Sequence, residues 1–149
     1  MQKNLETLGD IQYSQEEIDF ALELQRNNGK PELGIDGKIR PLRETLNSPG
    51  GGSTDSGDVS YNIPVVSLAA TTAPKGVPWH SWSVVASSGM SIGHKGMLHA
   101  AKALGMTMVD IFKDSKLREN IKKEFDEKIG EYEYDPYLDP GPPPIDYVD

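Results

Sequence analysis

From Asn28 to Asp58 the chain runs NGKPELGIDGKIRPLRETLNSPGGGSTDSGD, with seven glycines, three prolines and few apolar side chains. Glycine destabilises helix and strand interiors, and proline removes a backbone donor, so neither a long helix nor a central strand can cross this stretch. A short strand over Lys38 to Leu42 is the one regular piece its pattern allows. The rest is loop, and a loop of this length in a compact domain is either functional or disordered. The consequence falls on the core. The 149 residues suit one domain with one core, yet only 36% are apolar, and 15 are glycine and 11 proline. Either much of the chain is loop, or the core is completed by something outside it.

The charge balance narrows the function. A net charge of −8 with no basic stripe excludes nucleic acid as a partner. The absence of cysteine excludes a disulfide frame and a thiolate zinc site. The opening MQKNLETLGDIQYSQEE has no apolar signal core, and no run approaches membrane-spanning length, so no membrane partner and a cytoplasmic location are expected.

Three helices are legible. Ser14 and Glu17 have the spacing of a capping box. Ile18, Ala21, Leu22 and Gln25 follow at helical period, with Phe20 and Leu24 widening the face, and Gly29 suits a left-handed stop. From Ser91, Met97, Ala100, Ala101, Leu104, Met108 and Ile111 keep a helical period. Gly93, Gly96 and Gly105 lie on that helix. Each costs about 1 kcal/mol against alanine, which points to close packing against another backbone. A third helix is capped by Asp114 or Ser115, carries the stripe Leu117, Ile121, Phe125 and Ile129, and ends at Gly130; Lys122, Lys123, Asp126 and Glu127 form its solvated face. Val59 to Tyr61, Pro64 to Ala70 and Trp82 to Ala86 are predicted as extended, mostly buried segments, which gives an α/β fold. The tail EYEYDPYLDPGPPPIDYVD, with five prolines and four tyrosines, cannot be helix. It admits a disordered end or an extended strap; the tyrosines with Leu138, Ile145 and Val148 favour the strap.

Several residues can carry chemistry. His94 and His99 are five apart, roughly 140° around a helix, so they do not share a face and are not a zinc-protease pair. His99 fits a packed or surface position. His94 falls in the first helical turn, where backbone donors favour an anion; a substrate role and a local structural bond both remain open. His80 stands in a Pro-Trp-His-Ser-Trp turn that can present a side chain, as a metal ligand or as an incidental turn residue. Ser48 to Ser60, SPGGGSTDSGDVS, offers consecutive unhindered backbone N–H groups followed by the Ser53 and Thr54 hydroxyls. Such a nest binds a carboxylate or phosphate, though a flexible linker has the same composition, and no lysine follows to make a P-loop. Asp55 and Asp58, on either side of Gly57, can ligate a metal, cap a turn or orient a neighbour.

These same residues carry a resemblance. GGGSTDSGDVSYNIP, followed by VPWHSWSVVASSGMSIGHKGMLHAAKAL, closely resembles the aminobenzoyl-glutamate hydrolases of the metallopeptidase 20 superfamily, which are zinc amidohydrolases and carboxypeptidases. YDPYLDPGPPPIDY is similar to the ending of members of this group, and the resemblance runs from about Tyr13 onward. It implies a mixed α/β sheet flanked by helices and interrupted by a smaller lid domain. This chain looks like the segment after the lid over residues 1–130, with an extended Pro/Tyr-rich strap over 131–149. The resemblance implies one metal ligand here, His80, a histidine followed by a small residue. It further implies that Gly52, Ser53 and Thr54 meet the substrate carboxylate, that His94 is structural or faces the substrate, and that Asp55 and Asp58 orient the loop. The remaining ligands and the general-base glutamate belong to a missing N-terminal and lid segment or a companion subunit. Zinc or manganese, one or two ions, is the implied cofactor, and a small N-acyl amino acid of the p-aminobenzoyl-glutamate type the implied substrate. The implied reaction is hydrolysis of the amide bond to the terminal glutamate-like residue, with this chain inactive alone. The alternative is a truncated, non-catalytic remnant or interaction fragment that retains its fold.

Overall fold

The structure, a computed structural model, describes residues 1–42, 54–136 and 141–142. Six α-helices form among them: α1 (Gln2–Leu8), α2 (Gln15–Asn27), α3 (Ser56–Asn62), α4 (Trp82–Ser88), α5 (Ser91–Lys113) and α6 (Ser115–Ile129). The described residues contain no strand. The α/β fold expected from the sequence is therefore corrected to an all-helical one. Val59 to Tyr61 lie in α3, and Trp82 to Ala86 lie in α4. Lys38 to Leu42 and Pro64 to Ala70 have no regular structure, since a strand exists only as one side of a ladder and neither meets a paired backbone. Short apolar runs such as WSVVA satisfy helix and strand templates alike. In α4 the inward positions are Ser83 and Ser87, four apart, while Trp82 and Val85 face outward. The burial follows a helical period through serines rather than through the apolar residues.

The chain divides into two units, one of Met1–Asn47 with Ser67–Ser115 and one of Ser48–Val66 with Lys116–Asp149. In the first, α2 begins as the sequence predicts. The Glu17 N–H donates to Ser14 Oγ at 3.3 Å, and the Ser14 N–H donates to Glu17 Oε2 at 2.6 Å. The helix stops at Asn28; Gly29 takes φ 60°, and the Lys30 N–H reaches back to the Gln25 carbonyl at 2.9 Å. Among the described residues Ala21, Leu24, Val77, Ile92 and Ala103 make up the buried hydrophobic core. So small a core is helped by buried polar groups that find partners. Gln25, fully buried, donates to the carbonyls of Gly34 (3.0 Å) and Lys75 (2.7 Å) and accepts from the Gly34 N–H (2.9 Å). Asn4 ties α1 to α5 by donating to Thr107 Oγ1 (3.1 Å) and Asp110 Oδ2 (2.8 Å). Ser83 Oγ donates to Asn28 Oδ1 at 2.9 Å, and Ser87 Oγ to the Ser83 carbonyl at 2.7 Å.

The glycines of α5 divide by what faces them. A Cβ at Gly93 would collide with the Ser88 backbone, and one at Gly96 with the Thr71 carbonyl, so both are sites of close backbone approach. A Cβ at Gly105 would meet nothing within 4 Å among the described residues.

Across the same unit Lys95 Nζ, on α5, lies 2.5 Å from Glu17 Oε2, and Glu17 is only 7% exposed. Burial pushes the Glu17 carboxyl up, but hydrogen bonds from Lys95, Ser91 and the Ser14 N–H, with the Lys95 charge, outweigh it and hold the group at about 2, against 4.5 for a free glutamate. A folded-state pKa below the unfolded one gives stability that is present above the unfolded value and lost as pH falls through the folded one. Thermal midpoints measured against pH should therefore fall as pH drops from about 4.5 toward 2, a loss on the order of 2 kcal/mol. Lys95→Met should flatten that acid limb, and an unchanged limb would remove the pair from the account.

In the second unit neither α3 nor α6 has a buried residue. Leu117, Ile121, Phe125 and Ile129 of α6 are half-buried, as the predicted stripe requires. Lys122–Asp126, Lys123–Glu127 and Glu124–Lys128 are exposed ion pairs four apart, each worth a few tenths of a kcal/mol. Tyr61 of α3 meets Tyr132 in a tilted contact (5.0 Å between ring centroids) and stacks with Tyr134 (6.1 Å). No helix among the described residues is long and apolar enough to cross a membrane.

Candidate functional site

His80 ends a turn that the chain builds from Pro78 onward. Ser81 Oγ donates to the Pro78 carbonyl at 2.5 Å and lies 3.3 Å from Ser83 Oγ, and α4 starts at the next residue. The backbone strain of this closure falls on His80, the one described non-glycine residue with positive φ, at 61°. A left-handed conformation costs a residue with a Cβ about 1 kcal/mol or more, and such strain clusters at functional positions. The His80 side chain is exposed. Trp79 and Trp82 on either side are 70% and 56% exposed, and the turn is closed by the Ser81 bond to the Pro78 carbonyl.

The other histidines sit apart from it in sequence and differ in setting. His94, in the first turn of α5, is exposed, and its backbone N–H donates to the Met90 carbonyl at 3.0 Å. His99 is half-buried, with Nε2 enclosed and without a hydrogen-bond partner among the described residues.

Thr54, Asp55 and Asp58 belong to the second unit and are exposed. Thr54 Oγ1 donates to Ser56 Oγ (3.2 Å) and accepts from the Ser56 N–H (3.3 Å), which sets the start of α3. Asp55 occupies the cap position of α3 without a side-chain capping bond. Asp58 Oδ1 accepts from the Tyr134 hydroxyl at 2.8 Å, and that bond raises the Tyr134 pKa. Gly52 and Ser53, with most of the tail from 137 on, lie outside the described residues. No local pattern signals the Asp58–Tyr134 bond, which joins residues far apart in the chain. The same is true of Lys95, whose partner Glu17 is just as distant.

An implied zinc or manganese ion finds in His80 an exposed imidazole, a donor that both metals accept. Among the described residues no group of three or more His, Asp or Glu side chains gathers to hold a metal. Of the described residues, His80 alone is a donor that the sequence assigns to such an ion.

The chain is similar to a subunit of the p-aminobenzoyl-glutamate hydrolase of Escherichia coli (strain K12), with 32% identity over 148 aligned residues. The match takes in 83% of this chain and 31% of the relative, so the chain spans about a third of the length of the protein it matches. The resemblance read from the sequence is thereby shown, as is its partial coverage. No family model and no solved structure matches.

Proposed function

We propose that this chain, a relative of a p-aminobenzoyl-glutamate hydrolase subunit, is the C-terminal portion of a metal-dependent amidohydrolase that cleaves the amide bond to a terminal glutamate-like residue. The observation that carries the reading is the exposed His80 held at φ 61° within the stretch that resembles these hydrolases. Strain there has a use if the imidazole must point at something the chain itself does not hold.

In this reading His80 is one ligand to zinc or manganese, one or two ions. A metal so placed supplies Lewis acidity for the amide carbonyl and eases deprotonation of the attacking water. The chain's own share is binding and orientation. The backbone N–H groups and hydroxyls of Gly52, Ser53 and Thr54 take the substrate carboxylate, which fixes the scissile bond. His94 faces the substrate. Asp55 and Asp58 orient the loop, with Asp58 itself fixed by the hydrogen bond it accepts from the Tyr134 hydroxyl. The general-base glutamate and the other ligands come from a companion portion, in a longer chain or a separate subunit.

The test is reconstitution. The chain is assayed for release of p-aminobenzoate from p-aminobenzoyl-glutamate with zinc or manganese, alone and with a polypeptide comprising the unmatched part of the E. coli relative. Turnover is expected only with both. No turnover from a complex that has formed would favour the non-catalytic remnant.

A further inference from the structure

Helix α5 has a packed face of small and apolar residues and, opposite it, an exposed apolar arc. The first packs inward through Ile92, Gly96, Ala103 and Thr107. On the other Met97, Leu98, Leu104, Met108 and Val109 are 45–59% exposed, and at helical spacing no charged side chain falls inside their arc, Lys102 standing at its edge. A single packed face accounts for only one apolar stripe on a surface helix, so a second apolar arc is surface suited to burial against something else. Gly105 lies in the middle of this outer arc. Unlike Gly93 and Gly96, it faces no backbone among the described residues; instead it opens into a cleft between α1 and α5 lined by Leu8, Met106 and Val109, with Asn4, Lys102 and Asp110 at its polar side. A glycine there weakens the helix without any close approach among the described residues to account for it.

We propose that the outer face of α5, opened at Gly105 into the cleft beside α1, is the docking surface for the polypeptide that completes the hydrolase. The occupant follows from the length of the match: more than two thirds of the relative lies outside it, and that portion is a polypeptide large enough to cover an apolar helix of this length. The partner surface is apolar and presents a side chain or backbone that enters where Gly105 leaves room. The inference rests on the proposed function for the identity of the partner, but it concerns association rather than turnover.

The test co-expresses the tagged full chain with the unmatched part of the E. coli relative. The photo-crosslinker benzoylphenylalanine replaces Leu104 on the face, or Glu23 on α2 as a control. A crosslink from position 104 to the companion, and none from position 23, is expected. Gly105→Leu should weaken the complex at least tenfold, while the thermal midpoint of the chain alone stays level or rises. A crosslink from position 104 only to a second copy, or only within one chain, would overturn the proposal. So would failure of the two polypeptides to associate, or a complex that Gly105→Leu leaves as tight as before. A complex that docks through α5 but does not hydrolyse substrate would leave this inference standing and remove the functional one.

Discussion

Replacing His80 with alanine in the reconstituted enzyme should lower both metal content and turnover, the latter by more than about a hundredfold. Altering groups that merely support metal ligands already costs about 10–100-fold, and a ligand itself matters more. The strained backbone gives a second, opposite expectation. His80 sits at φ 61°, where glycine is at ease and a residue with a Cβ is not. His80→Gly should therefore raise the stability of the chain by up to about 1 kcal/mol, reduced by the greater freedom of glycine in the unfolded state. It should abolish activity as thoroughly as His80→Ala. Stability gained with function lost marks a residue kept for chemistry. Unchanged metal content and activity in His80→Ala would show that the ligand assignment is wrong.

The second large effect belongs to the fold. Gln25→Leu should destabilise the chain by about 3 kcal/mol, and by more than about 10 °C in thermal midpoint. The side chain is fully buried and makes three hydrogen bonds, two to carbonyls and one from an N–H. Leucine keeps the volume and removes all three, so the Gly34 and Lys75 backbone groups lose the partner that the amide supplied. The loops around Gly34 and Lys75 are joined through this side chain, and through the Lys75 N–H donating to the Gly34 carbonyl at 3.1 Å. A loss under about 1 kcal/mol would mean that water replaces the amide at no cost.

These two residues show what a sequence carries and what it does not. Gln25 is legible as a position on the inner face of α2, because the capping box at Ser14 and the period from Ile18 are local signals. The same holds for the stripe from Leu117 to Ile129. What Gln25 bonds is not legible, since Lys75 lies 50 residues away. Helix α1 carries too few periodic positions to be seen, and it is tied down by Asn4 reaching Thr107 and Asp110. The expected strands failed for a related reason: a strand needs a partner, and a run such as WSVVA does not say whether one exists. In α4 the small serines pack inward and hydrogen-bond, an inversion that apolar patterning misreads. Of the candidate site, the His80 turn is legible from its tryptophans, proline and serine. The sign of its φ is not, because a residue with a Cβ is an uncommon choice for a left-handed position.

The lean composition that opened the sequence is consistent with this structure. The buried apolar residues of the described chain are few, while Trp79, Trp82, Val85 and the outer face of α5 stand in solvent. The central claim is that His80 is one ligand of a metal site completed by residues outside these 149. The most direct measurement is metal content after dialysis against a competing chelator, taken for the chain alone, for the companion portion of the relative alone, and for the two together, with and without His80→Ala. The account predicts tightly held zinc or manganese only in the combined protein, and its loss in His80→Ala. Tight metal retained by this chain alone, together with hydrolysis of p-aminobenzoyl-glutamate, would contradict it.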